Sequence, residues 1–129
     1  MNRARLLLSL PLAFAAAYAN AGGAVVQDRE ISTYPFVANA ERSTAIRAGY
    51  KRIALGMSPA QVAAVLGEPD EIRTLHEPKV KNGKIVGYTH WYIIRRLVKN
   101  GSAAEKQDSL VRVSFDLDDR VSKVDAWGL

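Results

Sequence analysis

Alternating hydrophobic and polar residues near the C-terminus predict strands with one buried face. In residues 111–117, apolar side chains alternate with Arg, Ser and Asp, which is the two-residue period of a half-buried β-strand. Asp118 and Asp119 predict a turn, after which residues 120–127 return antiparallel with Val124 on the inner side. We therefore expect two neighbouring strands of an antiparallel sheet in this part of the chain.

A third strand, predicted over residues 88–98, is apolar on both sides. Trp91 and Ile93 lie on one side, whereas Tyr92 and Ile94 lie on the other. Such a strand is either covered twice or exposes an apolar patch, and in a small domain an exposed patch indicates a protein contact. We therefore predict that Tyr92 and Ile94 bind a partner.

The strongest helix signal lies in residues 56–69. Ser58 and Gln61 have the spacing of a reciprocal capping box, and Pro59 occupies the first helical position, where its missing N–H costs nothing. Gly67 favours the left-handed conformation that ends a helix. A helix of about two turns is too short to be stable alone, so we expect it to pack on a sheet.

An earlier helix is predicted to begin near Asn39, which can cap it. Ile46, Tyr50 and Ile53 then recur at helical spacing and form one apolar stripe. The expected fold is therefore α+β, with two N-terminal helices packed on one face of a three-stranded antiparallel β-sheet. Residues 72–76 leave open an additional edge strand.

The N-terminus has the pattern of a cleavable signal peptide. Arg3 and Arg5 precede an uncharged, mostly apolar run, and residues 19–21 match the small-x-small pattern of a cleavage site. We predict a signal peptide over residues 1–21, a flexible arm over 22–38 and one domain over 39–129. The expected location is periplasmic and peripheral to the outer membrane. An uncleaved membrane anchor is the alternative.

Composition excludes several classes of site. The chain has 129 residues, no cysteine and only two histidines, which excludes thiol nucleophiles, cysteine metal sites, thiol-linked lipid anchors and multi-histidine centres. The net charge of +5 falls to +3 without Arg3 and Arg5, too mild a charge for a nucleic-acid binder. Because no nucleophile elbow or isolated carboxylate pair is present, we expect no enzymatic activity, cofactor or metal.

Four segments together resemble the SmpA/OmlA (BamE-like) family, over roughly residues 50–124. They are GMSPAQVAAVLGEP at 56–69, WYIIR at 91–95, LVRVSF at 110–115 and VSKV at 121–124. The resemblance implies the fold shared with β-lactamase inhibitor protein. It also implies a non-enzymatic accessory role in inserting β-barrel proteins into the outer membrane, with contacts to a partner subunit and to anionic lipid. By position, it implies polar contacts for His90 and Arg96.

Two departures from that family keep a second function open. Family members are typically lipoproteins, whereas this chain has no cysteine to carry a lipid, and residues 73–88 form a longer insertion. A soluble periplasmic inhibitor or binding module of an exported enzyme is therefore the alternative to a scaffold of the barrel-assembly machinery. With His90 added, the predicted partner surface consists of His90, Tyr92 and Ile94.

Basic residues cluster at the end of the third predicted strand, at Arg95, Arg96 and Lys99, and also in the 73–88 insertion. Basic side chains on a sheet edge guard against aggregation. They also attract the phosphate groups of anionic lipid, since each well-placed charge contributes ~1 kcal/mol near a negative surface. We predict anionic-lipid binding by Arg95, Arg96 and Lys99.

Overall fold

Two helices and five antiparallel strands form the fold in the computed structural model, which describes residues 27–99 and 107–129. The predicted signal peptide lies outside these residues. In chain order the elements are β1 (Phe36–Val37), α1 (Ala40–Gly49), a 3₁₀ turn (Tyr50–Arg52), α2 (Pro59–Leu66), β2 (Glu71–His76), β3 (Ile85–Arg96), β4 (Ser109–Asp116) and β5 (Val121–Trp127).

The long strand β3 organises the sheet. On one side it pairs with β4, which pairs in turn with β5, and on the other side it pairs with β2 and then, at its end, with β1. The α+β class and the two helices agree with the prediction, but the sheet has five strands rather than three. One extra strand, β2, contains the segment left open at residues 72–76. The other, β1, has only two residues, too few to show a hydrophobic period.

Both helices begin with the predicted side-chain caps. The Ser58 hydroxyl accepts a hydrogen bond from the Gln61 amide at 3.2 Å, and the Ser58 amide donates to the Gln61 side chain at 2.8 Å. Asn39 accepts from the Arg42 amide at 2.8 Å. Gly67 ends α2 with a φ of 80°, which side chains with a Cβ rarely adopt. These caps satisfy amides that a helix start leaves without partners.

The helices pack on one face of the sheet, and the core lies between the two layers. Ile46 of α1 and Val62 and Leu66 of α2 are buried there. We call the sheet surface beneath them the helix face; its buried side chains are Tyr88, His90, Tyr92 and Ile94 of β3 and Val111, Val113 and Phe115 of β4. Of the alternation predicted for residues 111–117, the apolar side chains up to Phe115 therefore point into the core, whereas Leu117 lies beyond the end of β4 and is exposed.

The two edges of the sheet differ in how they are covered. Residues 28–31 follow β2: Arg29 and Ile72 exchange backbone hydrogen bonds of 2.8 and 2.9 Å, and the Asp28 carboxylate accepts from the Thr74 amide at 2.8 Å. Residues 28–31 of the predicted arm therefore lie along this edge, and Phe36–Val37 of the same arm form β1 against β3. At the opposite edge, β5 pairs with β4 alone among the described strands.

Candidate functional site

The structure places the predicted partner-binding residues inside the core. Tyr92 is 0% exposed, His90 4% and Ile94 5%, and all three lie on the face that the helices cover. In the structure α1 and α2 occupy the surface that a partner would need, so the burial of these residues gives no support to the prediction that they bind a partner. The strand is apolar on both faces, and the helices cover the face for which a partner was predicted.

His90 occupies an aromatic environment within the core. Its ring lies 4.8 Å from the ring of Phe115 and 5.5 Å from that of Tyr88, measured between centroids. Burial lowers the pKa of His90 from 6.5 to about 4, and the positive charge of Arg29 adds to this effect. His90 is therefore neutral at physiological pH and belongs to the packing of the core.

The predicted lipid-binding residues are divided by burial. Arg95 and Lys99 are exposed, whereas Arg96 is buried. The Arg96 guanidinium donates to the Glu71 carboxylate at 3.2 Å and to the carbonyl oxygen of Lys99 at 2.8 Å. Arg96 therefore acts as a structural ion-pair residue, and two of the three predicted cations remain available to a membrane surface.

The sheet surface opposite the helices carries a cluster that the sequence did not single out. Two rows of directly paired residues cross this surface, which we call the tryptophan face. The first row is Glu71, Trp91, Arg112 and Asp125, and the second is Arg73, Thr89, Ser114 and Lys123. Because residues paired across antiparallel strands point to the same side, the register itself assembles this surface.

Guanidinium groups surround the ring of Trp91. The guanidinium carbon lies 4.3 Å from the ring centroid for Arg73, 5.3 Å for Arg112 and 5.6 Å for Arg96. Arg112 also lies 5.4 Å from the ring of Trp127. At these distances the cations are attracted to the aromatic faces, so Trp91 and Trp127 hold Arg112 between them.

Carboxylates orient these arginines from both ends of the face. Glu71 is fully buried and accepts from Arg73 at 2.8 Å and from Arg96 at 3.2 Å. At the other end, Asp125 pairs with Arg112 at 3.3 Å. The side chains of Arg73 and Arg112 remain 34% and 33% exposed, so their positions are held while a ligand can still reach them.

A concavity of about 350 Å³ lies on the tryptophan face. Three cationic side chains and one carboxylate contribute to its lining, together with hydroxyls and apolar groups: Arg73, Thr74, Leu75, Thr89, Trp91, Arg112, Ser114, Lys123 and Asp125. Guanidinium groups bind carboxylates and phosphates through paired hydrogen bonds. The lining therefore suits an anionic group beside an apolar one.

Two signals in the sequence could have located this surface. Arg112 and Ser114 are the polar residues that alternate with the apolar ones in β4, and Trp91 lies on the side of β3 away from Tyr92. The strand register, which places Arg112 directly beside Trp91, could not be read from the sequence. Neither residue is near the other in the chain, so only the strand pairing reveals the cluster.

The described residues contain no group of three or more His, Cys, Asp or Glu side chains arranged to hold a metal ion. Across the same residues, no helix has the length and apolar character needed to cross a membrane.

Comparison with known proteins identifies a likeness to a solved structure. No family model and no curated protein matches the chain. Among solved structures, the chain is similar to one described as a putative osmotically inducible lipoprotein OsmE. The two are 25% identical, the match covers 68% of this chain and 86% of that chain, and the TM-score is 0.41. Membership of the SmpA/OmlA family therefore stays a prediction.

Proposed function

We propose that this chain is an exported, non-enzymatic protein-binding module of the cell envelope, which binds an acidic segment of a partner protein on its tryptophan face. The observation that carries the proposal is the cluster of Arg73, Arg96 and Arg112 around Trp91. Tryptophan and arginine are the residues that most often dominate the free energy of protein association.

Charge supports an acidic partner. Three cationic side chains and the carboxylate of Asp125 line the concavity. Arg73 also pairs with Glu71 and Glu30 outside the lining, and Lys123 at its rim is 68% exposed. An acidic side chain can form paired hydrogen bonds with a guanidinium group. An adjacent apolar side chain of the same segment can pack on Trp91. The motif resemblance favours β-barrel assembly subunits as the partner, and a soluble exported enzyme is the alternative.

Affinity capture from envelope extracts tests both the partner and the surface. We expect the tagged protein to recover barrel-assembly subunits, and we expect Trp91→Ala and Arg112→Gln each to reduce that recovery. Truncation of an interface residue of this kind weakens binding by about thirtyfold or more. Titration of the purified partner subunit against each variant measures the change in Kd.

Matched variants elsewhere on the surface control for general effects. Leu55 and Arg47 are exposed and outside the tryptophan face, so Leu55→Ala and Arg47→Gln should bind as the wild type does. Recovery of a soluble hydrolase in place of assembly subunits would favour the inhibitor alternative. Equal capture by the wild type, Trp91→Ala and Arg112→Gln would exclude the tryptophan face as the binding surface.

For the membrane, we propose that Arg95 and Lys99 contact anionic lipid at the end of β3. Two exposed apolar side chains, Val37 and Val98, lie near them: Val37 is paired with Arg95 across β1 and β3, and Val98 precedes Lys99. Cations beside exposed aliphatic groups suit the boundary between lipid headgroups and acyl chains. This contact leaves the tryptophan face available to the protein partner.

A further inference from the structure

The outer edge of β5 is available for strand pairing over most of its length. Val121 exchanges backbone hydrogen bonds of 2.9 Å with Gly56 and Met57, so the loop before α2 covers the start of the strand. Beyond Val121, β5 pairs with β4 alone among the described strands. An edge of this kind presents backbone donors and acceptors that a further strand can use.

Residues of β5 alternate between the two faces of the sheet. Lys123 and Asp125 lie on the tryptophan face, because they pair with Ser114 and Arg112 of β4. Val124 lies between them and packs against the core beneath the helices. The two charged residues therefore flank Val124 symmetrically, with opposite signs on its two sides.

This arrangement is self-complementary about Val124. When two copies of β5 pair antiparallel around a two-fold axis perpendicular to the sheet, directly opposed residues must come from the same face. With Val124 opposite its own counterpart, Lys123 of each copy lies opposite Asp125 of the other. This register places two attractive pairs across the junction.

Shifting the register by two residues removes this complementarity. In one direction Asp125 lies opposite the partner's Asp125, and in the other Lys123 lies opposite the partner's Lys123. Like charges directly opposed on neighbouring strands are destabilising, so charge selects the register centred on Val124. Within one chain Asp125 lies 3.3 Å from Arg112 and 3.8 Å from Lys123. A carboxylate offers several acceptor sites, so Asp125 can also accept a bond from Lys123 of the second copy.

We propose that the β5 edge binds the β5 edge of a second copy of this chain, antiparallel and centred on Val124, with Lys123 of each copy paired with Asp125 of the other. The result is one continuous ten-stranded sheet, twice the five strands of each copy. Both tryptophan faces lie on the same side of that sheet because the axis is perpendicular to it. The dimer uses Lys123 and Asp125 of the concavity lining and leaves Arg73 and Arg112 to an acidic partner.

Charge reversal on each side of the junction gives a direct test. Sedimentation equilibrium of the purified full chain should show a concentration-dependent dimer. Lys123→Asp alone and Asp125→Lys alone should each weaken its Kd at least about tenfold, because each variant places like charges opposite one another. An equimolar mixture of the two variants should dimerise again, since the heterodimer has complementary pairs at both positions.

A cysteine scan then tests the register. The chain has no cysteine, so Val124→Cys introduces a unique thiol whose Cα should lie about 4.5–5.5 Å from its counterpart. Because Val124 is partly buried, a direct disulfide formed by a small oxidant, rather than a bulky reagent, should cross-link Val124→Cys efficiently. Ala126→Cys is the matched control, because two such residues would lie about 13 Å apart along the paired strands, and it should cross-link poorly.

Three results would overturn the proposal. They are a wild-type monomer at every concentration, dimers of Lys123→Asp and Asp125→Lys as stable as the wild type, and stronger cross-linking through Ala126→Cys than through Val124→Cys. Circular dichroism establishes that each variant is folded. Lys81→Asp, at an exposed lysine of the loop between β2 and β3, should leave the dimer unchanged.

Discussion

The two faces of the sheet use the same strands but stabilise their side chains differently. On the helix face, Tyr92 and Phe115 pack under α1 and α2 and are excluded from water. On the tryptophan face, Trp91 contacts guanidinium groups, and those of Arg73 and Arg112 remain partly exposed. A surface that is ordered and still reachable by solvent suits binding, whereas a surface sealed by helices suits a core.

The comparison explains why an apolar strand is a poor guide to a contact surface. Side chains at successive positions of β3, such as Trp91 and Tyr92, are both aromatic, but only one of the two lies beneath the helices. Hydrophobicity therefore locates the strand, while the position of the helices decides which side a partner can reach. The candidate surface moves from Tyr92 and Ile94 to Trp91 and its arginines.

The largest difference between the faces should appear in stability. Phe115→Ala should lower the free energy of unfolding by about 3–5 kcal/mol, because it opens a cavity in a closed core. Trp91→Ala should cost about 1–2 kcal/mol, since its partly exposed ring loses contacts with cations and the hydrogen bond that its indole N–H donates to the Thr89 hydroxyl at 2.9 Å. Urea unfolding of both variants measures the two effects. A larger cost for Trp91→Ala would identify the tryptophan face as the true core.

A second difference should appear on acidification, through His90 on the helix face. The pKa of His90 is about 4 in the folded protein and 6.5 as the ordinary value. Between these pH values the unfolded chain binds a proton that the folded chain excludes, so stability falls as the pH falls. From pH 7 to pH 4 this residue should remove about 3 kcal/mol of stability.

The measurement is urea unfolding at pH 7 and pH 4. His90→Phe retains a ring beside Tyr88 and Phe115 and should lose this part of the pH dependence. His76 is exposed, and His76→Gln serves as the control, with the wild-type pH dependence expected. Identical pH dependence in the wild type and His90→Phe would contradict the assignment.

A third, smaller effect should come from the carboxylate that orients the tryptophan face. Glu71→Gln keeps the size of the side chain but removes the charge that faces Arg73 and Arg96. We expect a loss of about 2 kcal/mol in the free energy of unfolding. Arg73 and Arg96 lose their hydrogen bonds to a charged group, and the charge of Arg96 stays buried without the Glu71 carboxylate.

Glu30 provides a matched comparison for Glu71, since it pairs with the same Arg73 at 3.5 Å but is half exposed. Glu30→Gln should cost less than about 1 kcal/mol, as expected for an exposed ion pair. Equal losses in the free energy of unfolding for Glu30→Gln and Glu71→Gln would show that burial of Glu71 does not strengthen its ion pairs with the arginines.

Local features of this fold were predictable from the sequence, and long-range pairings were not. The caps at Asn39 and Ser58 and the alternation in β4 depend on residues a few positions apart, so their patterns are visible in the chain. The bond between Arg96 and Glu71 spans 25 positions. Arg96 looks like one more surface cation until the pairing of β2 with β3 places a buried carboxylate beside it.

The same reasoning applies to the candidate site. The cluster around Trp91 depends on the register among β2, β3 and β4, which sets Arg112 opposite Trp91. A shift of one residue in either pairing would turn the arginines toward the helices. The residue types were visible in the sequence, but their meeting on one face follows from strand pairing.

The smallest expected effect concerns lipid binding by the cations at the end of β3, of which Arg95 and Lys99 are exposed and Arg96 is buried. Arg95→Ser and Lys99→Ser should each weaken binding to anionic vesicles about fivefold at low salt, since each charge contributes ~1 kcal/mol near the surface. Arg96→Ser should instead lower the free energy of unfolding, because Arg96 is buried against Glu71. Vesicle sedimentation and urea unfolding on the same three variants separate the two effects.

Two outcomes would exclude lipid contact by this region. One is the absence of vesicle binding by the wild type. The other is a smaller loss of vesicle binding for Arg95→Ser and Lys99→Ser than for a folded Arg96→Ser.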